Sequence, residues 1–237
     1  MDSVAIRMMV LANAESSLGA IDGVKAIYLS GSVAERTDEY SDIDLRVIVT
    51  DAAYESVVAL RENLPPTWGP FLFHETVSPS LAVSYYESLT KADVFYYVSN
   101  TIVPSVWFNV GTRILLDRTG NLAAVVDASK ALKFAAPAAS ILTHLEKCVA
   151  GLIDGAKRMR RDETIYASRL CAEAIHHLLL TDDLLQGRAP FGSSKRERLV
   201  PGQLTEAARV ATELPTTLAD SESYFSRLSA PLRTLVS

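Results

Sequence analysis

Cysteine is scarce: only Cys148 and Cys171 occur in 237 residues. Both lie in apolar stretches of helical period, which excludes a disulfide framework and a thiolate metal site and fits a reducing interior. Positive charge is not in excess either. Lys and Arg number 23 against 28 Asp and Glu, a formal net charge of -5, so the chain as a whole has no basic field with which to grip long nucleic acid. No stretch approaches the roughly 18 uncharged apolar residues of a membrane span. The segment Met1 to Leu18 is interrupted by Asp2 and Glu15 and lacks the basic region and clean apolar run of a secretory leader. The expectation is a soluble cytoplasmic protein, with no membrane and no long nucleic acid among its partners. What the chain does have is apolar mass, 49% of its residues, enough to bury a core in one large domain or two small ones.

Periodicity divides the chain in half. Val4 to Leu18 has helical spacing, and Ala26 to Leu29 reads as a buried strand that stops at Ser30-Gly31-Ser32, where a helix restarts. Ile43, Leu45, Val47 and Val49 alternate with Asp42, Asp44 and Arg46, the period of a strand with one buried face. Ala53 to Leu64 returns to helical period and ends at Pro65-Pro66. Phe71 to Phe73, Ala92 to Val98 and Arg113 to Leu116 supply further strands. After Pro137 the pattern is helical over Ser140 to Arg160, Thr164 to Leu185 and Glu206 to Leu214, with an exposed loop over Gln186 to Gln203. The expected fold is an α/β (α+β) domain with a mixed sheet over residues 1–135, followed by an all-α helical bundle over residues 136–237. Trp68 and Trp107 are expected in the core.

The informative stretch is Gly31-Ser32, nine intervening residues, then Asp42-Ile43-Asp44. Residues two apart on a strand point the same way, so Asp42 and Asp44 set two carboxylates side by side. Such a pair repels itself unless a cation neutralises it, and a hard divalent ion with oxygen ligands, Mg²⁺ above all, is the natural one. Magnesium fills the rest of its octahedron with water and phosphate oxygens, which predicts a phosphate-bearing substrate. Gly31 lets backbone approach a phosphate closely, and the Ser32 hydroxyl with the N–H groups after it would donate to its oxygens. A third carboxylate is wanted for metal or proton, and Asp93, inside the β-forming run Ala92 to Tyr97, is the best placed, with Glu87 and Glu75 as rivals.

Gly31-Ser32, Asp42, Asp44 and Asp93 together resemble the signature of the DNA polymerase beta-like nucleotidyltransferase superfamily. The size and the helical second half are similar to those of the bacterial aminoglycoside and lincosamide adenylyltransferases. A weaker similarity to their helical segment runs over Asp154 to Arg158 and Arg161 to Ala167. The resemblance implies a nucleotidyltransferase domain over 1–135 and a substrate-binding helical domain over 136–237. It also implies that Asp42, Asp44 and Asp93 are the catalytic, metal-binding carboxylates and that Gly31 and Ser32 form the phosphate turn. Glu35-Arg36 stands where many relatives carry Arg-Gly, and Arg36 is a candidate triphosphate contact.

The implied chemistry is transfer of a nucleoside monophosphate, AMP from ATP, to a hydroxyl of a small acceptor such as an aminoglycoside or lincosamide, with pyrophosphate leaving in line. Mg²⁺ and a nucleoside triphosphate are the expected cofactor and co-substrate, and the protein is expected as a monomer or homodimer. Lys157 is a candidate for nucleotide phosphate, and Asp154 and Glu163 for a cationic, hydroxyl-rich acceptor. A solvated helix face is the rival reading of all three. His176-His177 reads as packing rather than metal ligation. Two other functions compete: a non-catalytic nucleotide-binding or antitoxin-like module, and a HEPN-type ribonuclease suggested by the spacing of Arg169 and His176.

Overall fold

The structure, a computed structural model, describes residues 2–31, 34, 41–109 and 111–189. The chain divides into two compact units, Met1–Lys133 and Phe134–Ser237. The first is built on a sheet and the second, where described, on helices.

The first unit opens with α1 (Ser3–Gly19), whose first turn is closed by the Asp2 carboxylate accepting the Ala5 N–H at 2.7 Å, which satisfies one of the free donors of a helix start. Ile6, Val10, Ala14 and Leu18 form its buried stripe at the spacing that puts side chains on one face. The strands are β1 (Val24–Ser30), β2 (Ile43–Val49), β3 (Phe71–Ser78), β4 (Leu81–Tyr86), β5 (Thr90–Val98) and β6 (Thr112–Asp117). They form one six-stranded sheet in the order β3-β4-β5-β2-β1-β6. Only β2 and β5 run parallel, and every other neighbour is antiparallel, so the sheet is mixed.

Each central strand alternates as its sequence dictates. Ile43, Leu45 and Val47 of β2 and Ala92, Val94 and Tyr96 of β5 are buried with the α1 stripe and Trp68 in one core. Trp68 is fully covered and its indole N–H donates to Ser17 Oγ at 2.8 Å. Phe95 and Tyr97, by contrast, belong to the other face. There the helix α3 (Asn121–Ser129) covers one end through Leu122, packed with Ala26, Tyr28 and Ile48. The other end, where Asp44 and Asp93 lie, is only partly covered.

Several local expectations change. Ala53 to Leu64 is not one helix but a short α2 (Tyr54–Val58) followed by a 3₁₀ turn over Ala59–Glu62, because Pro65-Pro66 disfavours continued α conformation just ahead. Strand β4 has no clean alternation to announce it, since its inner position buries residues on both faces, Ser84 included. Helix α3 is short and follows Gly120 in the left-handed region. Trp107 is not core: it is 50% exposed in a single 3₁₀ turn between β5 and β6, where no regular element carries its ring inward.

In the second unit α4 (Ala138–Met159) and α5 (Thr164–Leu185) pack against each other. Cys148, Ala174 and Leu178 form their buried seam, and both cysteines are free and buried. Contacts run from His144–His177 through Gly151–Ala174 to Arg158–Glu163, so the pair is antiparallel. Gly151 permits the close approach: a Cβ there would meet Ala174 Cβ at 3.0 Å and the Leu170 carbonyl at 3.2 Å. The expected helix over Glu206 to Leu214 and the loop beyond residue 189 lie outside the described residues. No helix among the described residues is long and apolar enough to cross a membrane.

Candidate active site

Sheet register assembles the site. Asp44 on β2 lies opposite Ser30 of β1 on one side and Asp93 of β5 on the other. The same rung continues to Thr112 beyond Ser30 and to Val83 beyond Asp93. Residues paired across strands share a face, so Asp44 and Asp93 stand next to each other. Asp42, two positions ahead of Asp44 at the mouth of β2, joins them. The parallel pairing matters here, because it brings the starts of β2 and β5 to the same edge of the sheet. The rivals stand farther off. Glu75 continues the same rung but on β3, with Val83 of β4 between it and Asp93, and Glu87 is in the turn between β4 and β5.

The carboxylates do not face each other uncompensated. Lys91, two residues ahead of Asp93 on the same face of β5, sets its Nζ 3.0 Å from Asp42 Oδ2 and 3.2 Å from Asp93 Oδ2. The Lys91 side chain is 29% exposed and that of Asp93 18%, so this arm of the bridge is partly withdrawn from water and stronger than an open surface pair, whereas Asp42, 42% exposed, faces solvent. Burial, the largest single influence, pulls the Lys91 ammonium down, but the hydrogen bonds and negative charge of Asp42 and Asp93 together outweigh it and hold it above the ordinary lysine value. Asp93 Oδ1 is buried and has no hydrogen-bond partner among the described residues.

One rung further along, Tyr28, Arg46 and Phe95 lie side by side. The Arg46 guanidinium carbon sits 3.5 Å from the Phe95 ring centroid, a cation–π contact, and Phe95 stacks on Tyr97 with centroids 6.4 Å apart. Arg46 Nη1 is buried with no hydrogen-bond partner among the described residues. Burial, then the nearby Tyr97, pushes the Tyr28 hydroxyl up to about 12, so it stays protonated beside the guanidinium. Gly31 follows directly on β1 with φ 73°, beside the acidic rung, and its carbonyl accepts the Ala34 N–H at 3.2 Å. Ser32 and Arg36 lie outside the described residues.

The remaining candidates are in the second unit. Lys157 and Asp154 pair with each other at 3.2 Å on the exposed surface of α4, and Glu163 pairs with Arg158 at 2.7 Å. Arg169 bonds to Glu173 and stacks over Tyr166. His177 Nδ1 lies 3.0 Å from His144 Nδ1, while His176 is exposed.

The donor set suits a hard divalent ion. Two carboxylates already converge on one cationic atom, a third stands beside them, and Asp93 offers a buried oxygen with no partner among the described residues. As placed, however, no group of three His, Cys, Asp or Glu among the described residues could hold a metal ion, and the point where Asp42 and Asp93 converge is taken by the Lys91 ammonium. A cavity of about 170 Å³ lies farther along the sheet at Ile48, lined also by Lys25, Asp117 and Leu122. It is smaller than the roughly 300 Å³ at which ligand pockets begin.

Sequence reasoning missed Lys91 and Arg46. Their signal was the same alternation that found the aspartates: Lys91 is to Asp93 what Asp42 is to Asp44.

No family model matches the chain, and no curated protein matches it. Among solved structures, it is similar to a nucleotidyltransferase-like protein from Exiguobacterium sibiricum 255-15, at 14% identity and TM-score 0.46, over 98% of this chain and 76% of that one. It is also similar to an aminoglycoside 6-adenyltransferase from Bacillus subtilis, at 12% identity and TM-score 0.31, over 96% of this chain and 90% of that one. Both TM-scores fall below 0.5, and the assignment of the site rests on the chain's own residues.

Proposed function

We propose that the chain is a nucleotidyltransferase that moves a nucleoside monophosphate, AMP from ATP, onto a hydroxyl of a small acceptor in the cytoplasm, with aminoglycoside and lincosamide antibiotics as the acceptor classes to try first. The observation that carries this reading is the single rung Ser30–Asp44–Asp93 with Asp42 and the Gly31 turn at the same sheet edge.

Asp42, Asp44 and Asp93 are the residues that would hold Mg²⁺, and bound Mg²⁺ supplies charge neutralisation at the triphosphate and a more electrophilic α-phosphorus. Asp93, more buried than Asp42, would also take the proton of the incoming hydroxyl. Gly31 and Ser32 would cradle phosphate, with Arg36 and Lys157 as further phosphate contacts. Asp154 and Glu163 would meet a cationic acceptor, each exchanging its present basic partner for it.

The test is incubation with each nucleoside triphosphate, Mg²⁺ and a panel of hydroxylated drugs, read by mass spectrometry for a product heavier by one nucleotide. Asp44→Asn and Asp93→Asn are expected to lower turnover by a factor on the order of 10² or more, since each removes a negative charge from the carboxylates that would hold Mg²⁺, while melting as cooperatively as wild type. Inertness toward every nucleotide and acceptor would sink the reading.

One observation favours a second function, a non-catalytic nucleotide-binding or antitoxin-like module: the Lys91 ammonium already occupies the point where Asp42 and Asp93 converge. That reading predicts a complex with nucleotide or protein partner that survives Asp42→Ala and Asp44→Ala.

A further inference from the structure

Lys91 is held by both carboxylates at once, and its position is not an accident of a long side chain reaching across a surface. Strand period puts it on the Asp93 face, the β2–β5 register puts that face beside Asp42, and its ammonium sits at 3.0 and 3.2 Å from the two Oδ2 atoms. These are oxygens that a divalent ion in the proposed active site would need. An ammonium and a divalent ion cannot share the same two oxygens, because at such separations their like charges repel strongly in a partly desolvated site. Lysine is suited to such a temporary role: it is a point charge on a flexible four-carbon stem, without the fixed fork that ties arginine to one geometry.

We infer that Lys91 is the resident counter-ion of the acidic site: it holds Asp42 and Asp93 together in the metal-free protein and must withdraw for a divalent cation to enter. This rests on the metal-site reading above and adds a residue to it. The side chain sets how readily the metal binds. Its removal tightens metal binding, because the ion no longer displaces a competitor. It also leaves the metal-free carboxylates repelling one another. Asp93 Oδ1, buried without a partner among the described residues, is the acceptor that the ammonium leaves unsatisfied and that an ion with several ligands would engage.

The experiment is a titration of the full chain with Mn²⁺ alone, without nucleotide, followed by electron paramagnetic resonance of the free ion. Lys91→Met is expected to bind Mn²⁺ on the order of tenfold more tightly than wild type, and to melt at a lower temperature without metal but recover on its addition. Lys91→Gln, which keeps a donor for the carboxylates but no charge, covers the case in which the methionine variant fails to fold, and is expected to tighten Mn²⁺ binding as well. In the wild-type protein, acylation of lysine amines followed by peptide mass spectrometry should show Lys91 more reactive at saturating Mn²⁺ than without it. Unchanged or weaker Mn²⁺ binding in the variants, or Lys91 labelling indifferent to Mn²⁺, overturns the inference and leaves the metal site standing. Absence of Mn²⁺ binding in wild type and both variants removes the metal site itself, and the proposed function with it.

Discussion

At the scale of single residues, the site depends on charges and on one backbone angle. Gly31 sits at φ 73° immediately after β1, a conformation that costs an L-residue about 1–2 kcal/mol. Gly31→Ala is therefore expected to lower unfolding free energy by about 1 kcal/mol in urea denaturation, and to weaken nucleotide binding by more than the stability loss explains if the turn cradles phosphate. A nucleotide affinity untouched by the substitution would move the phosphate site elsewhere. Asp93 and Lys91 illustrate the limit of reading residues singly. An aspartate amid β-forming residues invites a functional explanation, yet its nearest partner is a lysine two positions away whose significance emerges only when Asp42 is brought alongside.

At the scale of elements, the strands were the easier part to read and the loops the harder. Strands β2 and β5 each have one face against the core and one toward the site, so their alternation is unmistakable. Strand β4 is buried on both faces and gives no such signal. The helical pair α4–α5 was legible from its three- and four-residue spacing, but the contact of His144 with His177 across it was not. Those rings meet through their Nδ1 atoms at 3.0 Å, so one Nδ1 donates and the other, carrying no proton, accepts. Burial is the main cause that holds both below the ordinary histidine value. Lys147 and His176 reinforce it at His144, and at His177 the His144, His176 and Lys147 charges do so against an opposing Glu173. The unfolded chain binds protons near the ordinary value, so as pH falls through the region around 6.5 it takes up protons that the folded pair resists. Stability is then lost on acidification and fully present above that region. The unfolding midpoint should fall between pH 7.5 and pH 5.5, and His144→Gln/His177→Gln should flatten that slope. An equal slope in the double variant would place the acid sensitivity in other groups.

At the scale of the whole molecule, a ligand that binds only the folded form raises the melting temperature by mass action. A nucleoside triphosphate with Mg²⁺ at about a hundred times its dissociation constant would add about 2.7 kcal/mol. A rise of several degrees is expected for wild type and none for Asp44→Asn, measured by differential scanning fluorimetry; an equal rise in both would relocate the ligand. By itself the sequence determined the local periods, the spacing from Gly31-Ser32 to Asp42 and Asp44, and the demand of paired carboxylates for a cation. These are properties of neighbours along the chain, set by strand and helix geometry and by Coulomb repulsion over a few residues. Only the tertiary structure decided that Asp93 rather than Glu75 or Glu87 stands beside Asp44 and that the first cation to answer the demand is Lys91. Both follow from the parallel β2–β5 register, a pairing between distant segments that no local pattern encodes, because it is selected by how the two buried faces pack together.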